Sequence, residues 1–171
     1  MIWKVFRKSP PRPKDDAAWW NAARAAEASP TADAIAGLRA GLASQQKAPD
    51  EWERQVEMID GLELILAMAA SEPATVETQH RVVGTDVCHL VAPACLVGLT
   101  DQPGKLFLTS RRLIHVSGAV RAWPWHRIGG VDREERALEV TIIGTTDTVN
   151  LICNTYGDAM AAAHLARRLQ R

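Results

Sequence analysis

Few side chains in this chain are of a type and spacing suited to chemistry. Cys88, His89 and Cys95 come nearest to a metal site. Their arrangement, Cys-His-x5-Cys, matches none of the usual zinc-ligand spacings. On a strand, neighbours 88 and 89 face opposite sides and cannot both ligate one ion without distortion. These cysteines, with Cys153 on the apolar side of its own segment, read as core thiols. No metal or other cofactor is expected. His80, His89, His115, His126 and His164 are scattered over separate elements, and none joins a nucleophile and an orienting acid in a recognisable motif. The chain has no GxSxG, no HExxH and no glycine-rich phosphate loop. Gly129-Gly130 reads as a bend or bulge between strands. The expectation is a protein without enzymatic activity.

Three other groups suggest binding. Lys105, Arg111 and Arg112 are candidate donors to an anionic lipid headgroup, which needs several charge-assisted hydrogen bonds. Trp123-Pro124-Trp125 is a candidate contact for a protein partner. A proline there belongs at a sheet edge or strand end. In an extended run both indoles point to one face, where they either pack on the core or anchor a partner. The opening residues sort into an apolar side (Ile2, Trp3, Val5, Phe6) and a basic side (Lys4, Arg7, Lys8), the pattern of an interfacial amphipathic anchor. Eight residues hold no helix alone in water. Each base near an anionic leaflet adds ~1 kcal/mol at best, so such a tip gives weak, salt-sensitive membrane contact. The competing reading folds Trp3 and Phe6 back onto the protein itself.

The elements that must position these groups change character along the chain. Its 171 residues carry a formal net charge of zero, and the charge is segregated. Residues 1–14 hold five bases and no acid, whereas residues 15–73 hold eleven acids against four bases. A neutral total argues against nucleic acid as a partner. Three cysteines without paired spacing and no secretory pattern point to a reducing, cytoplasmic setting. No apolar run approaches the ~20 residues that span a bilayer.

Pro10, Pro11 and Pro13 make a stiff linker. Three helices follow: about Ala17 to Ala28, one capped by Thr31, and a third capped by Asp50 with Trp52, Val56, Ile59, Leu62 and Leu66 in one stripe. From about His80 the period becomes two. Strands are predicted at Lys105–Thr109, Leu113–Ser117, Ala119–Trp125, Arg127–Asp132, Ala137–Ile142 and Thr148–Cys153, with one or two more in Val87–Leu99 interrupted by Pro93. A last helix runs from Asp158 to Arg171.

The order of these segments, with Gly104, Leu106, Leu108 and Thr109, then Arg112, Leu113 and Ile114, then Trp125, Ile128 and Val131, resembles the pleckstrin-homology-like superfamily in its bacterial and GRAM-type forms, over about residues 78–171. The resemblance implies an antiparallel β-barrel stoppered by the terminal helix, a scaffold that binds lipid headgroups or proteins and has no catalytic machinery. The loop Gly98–Gly104 carries Asp101 where lipid-binding members place basic residues, which favours a protein contact. The sequence thus reads as an α+β adaptor: a tip and linker at 1–14, a helical domain at 15–73 and a pleckstrin-homology-like domain at 78–171. A protein partner is expected, with the membrane surface as a lesser contact through the tip, so that the protein is cytoplasmic or peripheral at the inner membrane face. The alternative is a lipid-headgroup recruitment module. Spare apolar surface on the third helix also makes homo-oligomerisation through the helical domain credible.

Overall fold

The computed structural model describes residues 14–44, 48–98, 102–146 and 148–171. The candidate membrane tip, Ile2 to Lys8, lies outside the described residues. Three helices come first: α1 (Lys14–Ala28), α2 (Ala32–Ala43) and α3 (Pro49–Ala69). Thr31 caps α2 as its type and position suggest, its Oγ1 accepting from the Ala34 N–H at 3.2 Å. Asp50 does not cap α3. Pro49 takes the first helical position, where its missing N–H costs nothing, and Asp50 and Glu51 fall in the first turn, on the positive end of the helix.

The buried stripe of α3 is also rotated from its predicted position. Gln55, Met58, Ile59, Leu62 and Ile65 are buried, while Trp52 is 51% exposed. The rotation has a cause in a single residue. Gly61 lets the chain's last helix press against α3: a Cβ there would lie 2.5 Å from the Met160 sulfur and 3.2 Å from the Gly157 Cα. The helix therefore turns its Gly61 side inward, and Trp52 leaves the interface. Trp19 and Trp20 meet edge-to-face at 5.0 Å. Their indole N–H groups donate to the Leu38 carbonyl at 3.1 Å and to Glu51 Oε1 at 2.7 Å. Both rings are buried with their polar ends satisfied.

The strands are β1 (Cys88–Leu96), β2 (Gln102–Thr109), β3 (Arg112–Ser117), β4 (Ala119–Pro124), β5 (Ile128–Glu134), β6 (Ala137–Ile142) and β7 (Thr148–Cys153). Helix α4 (Tyr156–Leu169) follows, capped by Thr155. All pairings are antiparallel, in the order β4-β3-β2-β1-β7-β6-β5. The α+β class is as expected. The sheet is not closed into a barrel, however. Its edge strands β4 and β5 do not pair, because the chain leaves β4 at Pro124 and turns through a single 3-10 turn, Trp125–Arg127, before β5 begins.

β1 is one strand and runs straight through Pro93, against the prediction of an interruption. Its ladder with β7 begins only at Ala94, and the Pro93 carbonyl accepts from the Asn154 N–H at 3.2 Å. The proline nitrogen faces the same side, at the end of the β7 ladder, where a missing donor does little harm. Gly129-Gly130 sits at a register shift in β5, as the bulge reading required.

The main core lies between the inner sheet face and α4, with Leu106, Leu113, Val140, Leu151 and Leu165 at its centre. A second core joins α1, α2 and α3 to Tyr156 and Met160 of α4. A third covers the outer face of β1–β3, where Val83 packs on Cys88, Phe107 and Ile114. All three cysteines are buried and free. The helices are tied to the β5–β6 hairpin by arginines. Arg133 grips both carboxylate oxygens of Glu27, and Arg136 reaches both of Glu57 at 2.8 and 2.9 Å. Among the described residues no helix is long and apolar enough to cross a membrane.

Candidate functional site: a cleft beside strand β4

Strand β4 alternates Arg121 and Trp123 on one face with Val120 and Ala122 on the other. The short corner after Pro124 then carries the chain away from it. The result is a cleft of about 580 Å³ between β4, the end of β1 and the β6–β7 turn. Trp123, Leu96 and Val149 line it, and their partly buried side chains also pack on the main core. Arg121, Arg127, Thr145 and Thr148 also belong to its lining. Both arginines are exposed, and neither has an ion-pair partner among the described residues. An apolar lining that includes guanidinium groups free of ion pairs suits a ligand with apolar contacts and negative charge.

The two tryptophans part company. Trp123 pairs with Leu113 in the β3–β4 ladder and reaches the cleft. Trp125 begins the 3-10 turn and is 7% exposed, its indole N–H donating to the Thr109 carbonyl at 2.8 Å. The extended geometry that would put both rings on one face is broken by the corner. Trp125 is core, and Trp123 is the aromatic group available in the cleft.

Lys105 does not converge with Arg111 and Arg112, which both approach Asp86. Lys105 lies in β2 opposite Val116, on the order of 13 Å of strand from the Thr109 end where the arginines sit. Arg112 is engaged by Asp86, whose side chain is 4% exposed, through an Nε–Oδ2 contact of 2.8 Å. Asp86 also receives the Thr109 hydroxyl at 3.2 Å, an alternative to that hydroxyl's 2.9 Å bond to the Arg112 carbonyl. Thr109 Oγ1 in turn accepts from the Arg111 and Arg112 N–H groups. The network fastens the segment before β1 to the β2–β3 turn. Arg111 remains 74% exposed, and both arginines border a separate 730 Å³ hollow with His126 and Arg171.

His115 is fully buried beside Arg121, its partner across the β3–β4 ladder. Its Nε2 lies 3.1 Å from the Ala94 carbonyl, to which it can donate. Burial pushes its pKa down; the Ala94 contact opposes this and the Arg121 charge adds to it. The ring is therefore neutral at pH 7. Burial likewise raises the Cys88 thiol and, with Asp158 nearby, pushes Cys153 up to about 12, so neither is an activated nucleophile. No cluster of three or more metal-ligating side chains occurs among the described residues.

Arg121 and Arg127 were missed from the sequence. The signal for Arg121 was present, since its position two before Trp123 on a strand puts both on one face. Arg127 had none, because only the 3-10 corner brings it there.

No protein-family model matches the sequence, and no curated protein matches it. Several solved structures are similar in shape. The C-terminal domain of an unknown protein from Leishmania infantum is 18% identical with a TM-score of 0.46, matched over 53% of this chain and 90% of that one. The DH/PH fragment of PDZRHOGEF, solved in complex with human RhoA, is 11% identical with a TM-score of 0.46, matched over 92% and 53%. The DH/PH domain of human ARHGEF11, solved with human RhoA and its inhibitor, is 10% identical with a TM-score of 0.45, matched over 81% and 51%. This chain thus spans about half the length of the DH/PH chains it matches. Likeness of this degree transfers neither activity nor partner.

Proposed function

We propose that this protein is a non-enzymatic adaptor whose pleckstrin-homology-like part binds a segment of a protein partner in the cleft beside β4. The observation that carries the reading is the Trp123-lined cleft in which Arg121 and Arg127 have no ion-pair partner among the described residues. Such a half-exposed aromatic in an apolar recess is the kind of anchor that dominates binding energy at protein interfaces. The helical unit is joined to the β5–β6 hairpin by Glu27–Arg133 and Glu57–Arg136, and none of the residues lining the cleft belongs to it. Lipid-headgroup recruitment is less well supported, since Arg112 is committed to Asp86 and Lys105 stands apart.

The test is co-purification from native extract with the wild-type chain and with the Trp123→Ala and Arg121→Glu variants, each first shown to be folded by circular dichroism. A partner retained by the wild type and lost from both variants supports the reading. A partner retained equally by all three overturns it. Sedimentation of the wild type with anionic vesicles, abolished by Arg111→Glu and untouched by Trp123→Ala, would favour the headgroup alternative.

A further inference from the structure

The two edges of the sheet are treated differently. β5 is protected. It carries a bulge between Ile128 and Gly130 and the charges of Asp132, Arg133 and Glu134. The Gln170 side chain donates to its Ile128 carbonyl at 3.4 Å, and Glu27 of α1 holds Arg133. These are the devices by which proteins keep an edge from recruiting strands. β4 has fewer of them. It is six residues long, with Arg121 its one charged residue, and ends in Pro124.

The bond from the Trp125 N–H to the Arg111 carbonyl, 3.1 Å, fixes which β4 groups are free. It makes Arg112–Pro124 a non-bonded pair of the antiparallel ladder, so the alternation directs residues 119, 121 and 123 toward β3 and residues 120, 122 and 124 outward. Pro124 has no N–H to present. Val120 and Ala122 therefore offer two N–H and two C=O groups to an incoming strand, and both residues are exposed. Arg121 and Trp123 meanwhile face the cleft alongside.

We infer that the open edge of β4 receives an extended acidic segment of the protein partner as an eighth, added strand. The inference rests on the reading of the cleft as a protein-binding surface. Backbone pairing to Val120 and Ala122 supplies affinity without sequence demands, and side chains at alternate positions give specificity. Those that point toward the cleft meet the Trp123 ring and the Arg121 and Arg127 guanidinium groups, which select acidic and apolar residues. A second copy of this chain is a poorer occupant, because antiparallel pairing of two β4 edges through Val120 and Ala122 sets Arg121 directly opposite its own counterpart.

The probe is a short capped peptide alternating valine and glutamate, with a lysine-for-glutamate counterpart, titrated into the full chain up to about 1 mM and followed by amide NMR and hydrogen exchange. The glutamate peptide should shift the signals of 119–124 and slow exchange at Val120 and Ala122, and the lysine peptide should bind about tenfold more weakly. Ala122→Pro removes one outward N–H without touching the β3 ladder and should abolish the protection. Arg121→Glu with Arg127→Glu should reverse the preference for charge.

Binding of the glutamate peptide without protection of Val120 and Ala122, equal binding of both peptides, or no binding overturns the inference. So does protection that grows with protein concentration in the absence of peptide, which would assign the edge to a second copy. Anionic vesicles that displace the peptide and shift the same signals would reassign it to a lipid surface. If the peptide fails while Trp123→Ala still loses the co-purified partner, the added strand falls and the partner-binding cleft stands.

Discussion

Replacing Asp86 by alanine separates a structural role for the β2–β3 turn arginines from a binding role. The carboxylate is buried and meets Arg112 Nε at 2.8 Å. A hydrogen bond to a charged group contributes about 1.5–3 kcal/mol. Arg112 is 36% exposed and can regain water when its partner is lost, so the lower part of that range applies. Thr109 keeps its bond to the Arg112 carbonyl and adds little to the loss. Arg111 sits 3.8 Å away on an exposed side chain and adds nothing measurable. A net cost of about 2 kcal/mol lowers the melting temperature of a chain this long by about 4–8 °C. Calorimetry with matching calorimetric and van't Hoff enthalpies is the appropriate assay. The same variant frees Arg112, and sedimentation with anionic vesicles should not change. A melting shift below about 1 °C would refute the view that Asp86 fastens the segment before β1 to the turn. Vesicle binding gained by the variant would show that the arginines form a latent headgroup site.

Other expectations follow from the same contacts. Gly104→Ala places a Cβ 2.3 Å from the Val116 carbonyl oxygen and 2.8 Å from His115 Nε2, and should cost on the order of 3 kcal/mol by denaturant unfolding. Gly37→Ala in α2 meets no atom within 4 Å and should stabilise by about 1 kcal/mol. Because burial depresses the pKa of His115, the unfolded chain binds a proton that the native chain resists. The resulting stability is complete above the unfolded value of about 6.5 and is lost as pH falls below it. A His115→Gln variant should therefore show a shallower fall in stability between about pH 6.5 and 5 than the wild type. With Cys88 and Cys153 raised by burial, both thiols should resist alkylation at neutral pH until denaturant is added, as mass spectrometry would report.

What was legible in the sequence was mostly local. The Thr31 cap and the alternation of Ala137–Ile142 each depend on neighbours a few residues apart, and the structure follows them; the change to a period of two, expected from about His80, comes only with β1 at Cys88, after a stretch of turns. What was not legible depends on distant partners. Asp86 and Arg112 meet only because the segment before β1 folds over the outer sheet face. The stripe of α3 turns because Gly61 admits Met160, far along the chain. The expected barrel stays open because the 3-10 corner after Pro124 leaves β4 and β5 unpaired. The same corner splits the tryptophan pair and delivers Arg127 to the cleft. Half of the candidate site, Trp123 and its strand, could thus be read directly; the rest awaited the corner's geometry.

The claim that partner binding occurs beside β4 is tested most directly by placing a photo-crosslinking amino acid at Val97 or Val120, both exposed near the cleft and its strand, and at Leu64 of α3, an equally exposed apolar position remote from them. In native extract the first two positions should trap one and the same partner protein, and Leu64 should not. Trapping from Leu64 with none from Val97 or Val120 would contradict the account.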